Sequence, residues 1–303
     1  MGHPDTTGRN LVREGVVDSR ELLPALAELP GHVLWRAHAR VALALAEELP
    51  DGVDIHAYAV LLALAEADVP RSQQSLADTV SVSRTTLARV AADLSARGLV
   101  ERVRNPDDRR SYALTRTDAG AAAASDWRQH ADAVQERLLA PFDAAEGAEL
   151  VDLLHRLVDA EIAPDAPSVL RGSIGFLVSR AHASLYREFQ VGLDPLDLEP
   201  RLFGALTAIA TAGPLAQADL ARLLGVSGPR VVQIADALEA RGLVERRRDP
   251  ADRRARLLHL QPGAEEVLAR ARAVADDLNQ HLGPLGVRDT RRLGALLRTF
   301  VTA

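Results

Sequence analysis

The sequence predicts a mainly α-helical fold with small β-hairpins, and it predicts that fold twice in one chain. Amphipathic runs at helical spacing are interrupted by one short segment that alternates at period two. Nearly the same basic string occurs at two places, RGLVERVRNPDDRR from Arg97 and RGLVERRRDPADRR from Arg241, 144 residues apart. A chain of 303 residues with 47% hydrophobic composition is long enough for about two domains, each with its own core.

The repeat extends well beyond that string. Arg36-Ala37-His38-Ala39 falls on Arg180-Ala181-His182-Ala183, and Leu62, Pro70, Leu76, Val82 and Ser83 fall on Leu206, Pro214, Leu220, Val226 and Ser227. Further on the copies slip by one residue, so that Leu150 and Leu153 match Leu293 and Leu296. A whole domain is duplicated, which excludes a solenoid of short repeats. The expected division is an N-terminal arm over 1–30, a first domain over 31–163 and a second over 164–303. Ala163-Pro164-Asp165-Ala166-Pro167 marks the boundary, a connector too short for a long flexible tether.

Within the first copy, apolar spacing predicts helices near 31–49, 55–67 and 72–79. Ser81-Val82-Ser83 then breaks the pattern, and Ser83 is the expected N-cap of a helix that ends at Gly98. Leu87, Val90, Ala91 and Leu94 share the inward face of that helix, which leaves Arg84, Thr85, Thr86 and Arg89 for the outward one. In the second copy Ser227 is the expected cap and Pro229 sits in the tolerated first turn. There Val231, Ile234, Ala235 and Leu238 face inward, and Arg230 and Gln233 face out. The alternation from Leu99 to Arg104 turns at Asn105-Pro106-Asp107-Asp108 and returns through Ser111 to Thr115, a hairpin that forms a wing. Long helices over 117–141 and 144–160, with counterparts at 262–282 and 287–301, close each domain.

The net charge of −6 conceals a strong separation. All 36 basic residues are arginine; nine of them lie between Arg71 and Arg116, against five acids, and nine between Leu215 and Leu260, against six. Those two segments together carry +7 and the remainder −13. Positive charge therefore gathers where the helix-turn-helix and wing are predicted, the distribution expected for a polyanionic partner. With no cysteine the chain has no disulfide, thiolate nucleophile or thiol switch. No apolar stretch is long enough for a bilayer span and no secretory leader opens the chain, so a cytoplasmic protein with no membrane partner is expected. No cofactor is expected, and no metal site, since no clustered His-Asp-Glu spacing is present. Gly225-Val226-Ser227-Gly228 resembles a serine nucleophile turn only superficially, because the second glycine is misplaced and its first-copy partner, Ser81-Val82-Ser83-Arg84, has none. The reading is not an enzyme.

Leu94-Ser95-Ala96-Arg97-Gly98-Leu99-Val100-Glu101-Arg102, its counterpart from Leu238 to Arg246, and Asp249-Pro250-Ala251-Asp252-Arg253-Arg254 together resemble the MarR family of winged-helix transcription regulators. The first wing departs from that pattern with Asn105 in place of aspartate. Members usually pair as homodimers through their first and last helices. The resemblance therefore implies two winged helix-turn-helix domains joined by a helical pseudo-dimer interface within one polypeptide, either as a single chain or with two chains associated. It implies a ligand-responsive repressor on a double-stranded DNA operator, an imperfect palindrome with half-sites about 10 base pairs apart. Ser83, Arg84, Thr85, Thr86 and Arg89 are the expected first-copy contacts, and Ser227, Pro229, Arg230 and Gln233 the second. Arginine suits guanine and glutamine suits adenine, so unequal halves follow.

Arg109 and Arg110, with Arg253 and Arg254, stand at the wing tips; one of each pair is assigned to the minor groove and the other to a structural contact with Asp108 or Asp252. Arg102, Arg104, Arg246 and Arg248 read equally as phosphate contacts or as a basic strand face. The resemblance also implies a small aromatic or anionic effector near the first helix, with His38 and His182 as contacts and Trp35, Tyr58 and Phe203 as walls. The alternative is that both histidines are interface residues with ordinary hydrogen bonds. A rival function is a tandem module that no longer reads DNA and instead sequesters a ligand or another regulator.

Overall fold

The computed structural model describes residues 22–50, 53–67, 69–105, 112–249, 256–280 and 282–303. These form two compact units, one built from 41–140 and 158–177, the other from 22–40, 141–157 and 178–303. The divide falls inside helices α2 (Pro30–Glu48) and α9 (Ile174–Leu193).

In the first unit, α3 (Ile55–Ala65) starts where the Asp54 carboxylate accepts the His56 N–H. Strand β1 (Arg71–Ser72) leads into α4 (Gln73–Thr79), capped by the Ser72 hydroxyl, and then α5 (Arg84–Ala96). The wing is β2 (Val100–Arg104) against β3 (Tyr112–Arg116), antiparallel from Val100↔Arg116 to Arg104↔Tyr112. Strand β1 adds to the other edge of β3, giving the order β1-β3-β2. Thr117 caps α6 (Asp118–Leu139) through its hydroxyl, which accepts the Gly120 N–H. Leu61, Leu76, Leu87, Leu94 and Leu114 meet in the core with almost no exposure.

The connector is fastened to this unit rather than hanging from it. The Arg71 guanidinium donates to Ser75 Oγ at 2.8 Å and Thr79 Oγ1 at 2.7 Å, and pairs with the Asp165 carboxylate. Arg171, in α8 (Ser168–Arg171), donates to the carbonyls of Ala163, Pro164 and Ala166.

The second unit repeats the head: α10 (Pro200–Ala212), β4 (Leu215–Ala216), α11 (Gln217–Leu224), α12 (Gly228–Ala240), β5 (Val244–Arg248), β6 (Arg256–Leu260) and α13 (Pro262–Gln280). Its sheet runs β4-β6-β5. Leu220, Val231, Leu238 and Leu258 occupy the core positions that Leu76, Leu87, Leu94 and Leu114 hold in the first copy.

Helices from both copies pack together inside this second unit. The Arg156 guanidinium in α7 (Ala144–Val158) donates to Asp289 of α14 (Val287–Thr302) at 2.5 Å, and Arg292 of α14 returns to Glu149 of α7 at 2.8 Å. Phe142 stacks on Phe300 at 6.4 Å, with Arg40 over the same ring. Leu26, in the short helix α1 (Pro24–Ala27), is fully buried here.

At Gly120, helix α6 lies directly against the main chain that enters the wing. A Cβ there would stand 2.0 Å from the Leu99 carbonyl oxygen, which is main chain and cannot swing aside. Gly120→Ala should lower unfolding stability by roughly 1–3 kcal/mol, the usual range for an overpacked site. Urea denaturation reads the loss, and an unchanged midpoint would contradict it.

Candidate nucleic-acid interface

The reading helices owe their orientation to what they bury. In α5, Leu87, Val90, Ala91 and Leu94 are sealed in the core, while Arg84, Thr85, Ala88 and Arg89 are exposed. In α12, Val231, Ile234, Ala235 and Leu238 are sealed, and Gly228, Pro229, Val232 and Gln233 are exposed. The turn before each helix closes with the same bond, Val82 N–H to the Ala77 carbonyl and Val226 N–H to the Ala221 carbonyl. The equivalent turn residues, Ser81 and Gly225, both have positive φ.

One expected contact is corrected. Thr86 is 6% exposed, on the inward side of α5 with its hydroxyl 2.9 Å from that of Ser83. At the third position after the cap, its side chain turns back toward the cap instead of outward. The caps also differ. Ser83 Oγ accepts the Thr86 N–H at 3.0 Å, whereas Ser227 occupies the N-cap position without a side-chain cap bond. Pro229, the second residue of α12, has no N–H, which removes one of the donors a cap could accept.

The outward side chains are held in unlike ways. Arg89 forms an ion pair with Asp54 at 2.8 Å while remaining half exposed. In the second copy Arg230, partly exposed, donates to Gln233 Oε1 at 3.3 Å. On the first wing the Arg102 guanidinium lies over the Tyr112 ring, 5.5 Å from its centroid, and Tyr112 is itself exposed. On the second, Arg246 turns inward between Asp236 and Glu239 of α12. It braces the wing against the reading helix, a role that strand alternation could not foretell. Arg104 and Arg248 are exposed. Arg109, Arg110, Arg253 and Arg254 lie outside the described residues.

Sequence reasoning also missed Arg36. It is 5% exposed, and its guanidinium carbon would lie 3.1 Å from a Cβ placed on Gly225. A helix of the first copy thus touches the turn of the second copy's head, within one unit.

The residues expected near an effector are placed as follows. His38 and His182 stack face to face with centroids 4.8 Å apart and planes within 7°, and His38 Nδ1 lies 3.2 Å from Ser179 Oγ. His182 is partly exposed as a residue, yet neither ring nitrogen meets solvent or a hydrogen-bond partner among the described residues. Burial lowers its pKa to about 4. Trp35 lies beside His32, at 5.9 Å between ring centroids. His32 is pushed down to about 3, by burial first and by the Arg36 charge second. Phe203 meets Phe189 edge-on in the core of this unit, and Tyr58 is buried in the core of the other. Among the described residues no cluster of acids and histidines could hold a metal ion, and no helix is long and apolar enough to cross a membrane.

Three helices, the last presenting a polar face, followed by a two-stranded wing that pairs with a short strand from between the first two helices, define a winged helix-turn-helix, and each unit contains one. The MarR family model matches residues 51–111 and 196–255, one segment in each unit. It is 32% identical over 102 residues to a putative transcriptional regulatory protein for the hcr operon of Thauera aromatica, a match covering 33% of this chain and 61% of that relative. It is 26% identical over 136 residues to the HTH-type transcriptional repressor NicR of Pseudomonas putida, over 45% of this chain and 86% of that one. A probable transcriptional regulator from Pseudomonas aeruginosa, known by its crystal structure, is 30% identical with a TM-score of 0.39, over 41% of this chain and 93% of its own.

The unlike caps make a paired prediction. Ser83→Ala should cost about 1 kcal/mol of stability, whereas Ser227→Ala should cost at most a few tenths, since it removes no cap bond. Equal losses in thermal unfolding would contradict this.

The enclosed histidines predict a pH dependence. A histidine whose folded pKa lies below its unfolded value binds its proton first in the unfolded chain, so stability falls as pH drops from about 6.5 toward 4. His182 alone should cost about 2 kcal/mol between pH 7.5 and 5. His182→Gln should roughly halve the histidine-driven slope in that window, with His32 supplying the remainder, as read by urea midpoints.

Proposed function

We propose that this chain is a sequence-specific, double-stranded DNA-binding transcription regulator acting as a repressor, in which one polypeptide supplies two reading heads for an operator with unequal halves. One observation carries the reading. Equivalent helix faces, each left outward by a buried apolar stripe, bear different side chains: Arg84, Thr85 and Arg89 in one head, Pro229, Arg230 and Gln233 in the other. A face kept only for solubility has no need to be presented by a helix-turn-helix and flanked by a basic wing. The family match and the functions assigned to the two relatives support the same reading.

In the major groove an arginine gives two donors to guanine N7 and O6, and glutamine gives a donor and an acceptor to adenine. Exposed arginines of the wings neutralise phosphate and add affinity without sequence information. The wing-tip arginines are part of this proposal as minor-groove readers. So is effector control, in which a small aromatic or anionic ligand near the stacked His38 and His182 prefers one arrangement of the helices and shifts the population that binds DNA.

The test is selection of duplexes from a random pool with the full chain, followed by a salt titration. Four or more phosphate contacts should weaken binding at least about a hundredfold between 50 and 200 mM salt. Arg84→Ala should cost about 1–3 kcal/mol at a guanine-bearing position, and Gln233→Ala should relax discrimination at a different position. No enrichment, or binding indifferent to salt, would support the sequestering module instead, and symmetric halves would remove the claim of unlike heads.

A further inference from the structure

Val232 stands out on the reading face of α12. It is 43% exposed, one helical turn after Pro229 and one before Asp236, with Gln233 as its neighbour. A lone exposed valine is common on protein surfaces, but this one sits on the single helical face that the fold leaves for recognition. Valine is also an indifferent helix former, and its two methyl groups are held in one strongly preferred rotamer. The equivalent residue in the first head is Ala88, likewise exposed. The second head therefore presents a larger, rigid apolar knob where the first presents a single methyl.

The charges around Val232 leave that knob accessible to a groove. Asp236, which would repel phosphate, is neutralised by Arg246 at 2.5 Å. Arg230 bends toward Gln233 Oε1, so that the cation lies alongside the amide. An apolar knob beside an amide matches one arrangement of base edges in the major groove, an adenine hydrogen-bonded by glutamine with a thymine C5-methyl close by.

We infer that Val232 is a specificity-determining residue of the second head, reading the C5-methyl group of a thymine beside the base contacted by Gln233. This rests on the DNA-binding reading above and deepens it. The first head, with Ala88 and the arginines Arg84 and Arg89, favours guanine-bearing sequence; the second favours an A·T step.

The experiment uses full-length protein and the duplexes it enriches. Each thymine is replaced in turn by uracil, which removes only the C5-methyl and leaves pairing intact. One replacement should weaken wild-type binding about fourfold, the worth of one buried methyl group. Val232→Ala, a change at an exposed site that leaves the core untouched, should bring that penalty close to onefold while preserving the salt dependence. Placing 5-methylcytosine at that position distinguishes the methyl group itself from the thymine base: it should recover part of the affinity lost with unmethylated cytosine. If duplexes are enriched but no uracil replacement matters, or the penalty survives Val232→Ala, this inference fails and the DNA-binding reading stands. If no duplex is enriched, both fail.

Discussion

The burial of one apolar stripe on each reading helix is the constraint on which the rest depends. Leu87, Val90 and Leu94, like Val231, Ile234 and Leu238, are driven into a core with worth on the order of 1.5–3 kcal/mol for each side chain. A helix has only one rotation that satisfies such a stripe, so what lies opposite is fixed without any interaction of its own. The polar face is thus presented by default, and its residues can change while the frame stays put. This explains how two copies keep matching core positions yet differ at nearly every outward one.

The divergence extends into how each face is supported. In the first head Arg89 is tethered by Asp54, which also caps α3, so one carboxylate serves a helix start and an outward arginine. In the second, the support comes from the wing, where Arg246 reaches back to Asp236 and Glu239. The first copy has Ala92 and Ser95 at those two positions, and its Arg102 lies over Tyr112 instead. A strand arginine therefore serves as a brace in one copy and as part of an exposed aromatic stack in the other. Equivalent positions in a duplicated chain do not guarantee equivalent roles, because an ion pair needs both partners and a substitution on the helix frees or recruits the arginine on the wing.

Much of this was legible in the sequence. Helical periodicity, the Ser83 cap and the alternation before Asn105 are local signals, and they placed the helices and wings to within a few residues. Strands β1 and β4 were not legible, since two residues cannot display a period and their pairing with β3 and β6 is set by tertiary contact. Thr86 was misplaced because helical spacing puts it near the boundary between faces, where a hydroxyl within reach of Ser83 decides the outcome. Ser227 carries the residue type of a cap without the bond, and residue type was all the sequence offered. Arg36 belonged to a repeated motif in which histidine drew the attention. Its packing against Gly225 joins positions far apart in the chain, and no periodicity records that.

Arg36 and His38 are two residues apart on α2, and each meets a different part of the second copy inside one unit. His38 lies on His182 of α9, while Arg36 closes on the turn that opens α12. Burial already disfavours the protonated form of His182 in this stack. The contact at Gly225 leaves no room for even a methyl group without displacing the guanidinium. The His38 stack and the Arg36 contact are thus carried by one helix, two residues apart. Tightly packed interiors rearrange between discrete packings instead of deforming smoothly. Within a core that already packs the helical part of the unit against its reading head, Arg36 adds a buried contact at the turn itself, contributed by the first copy.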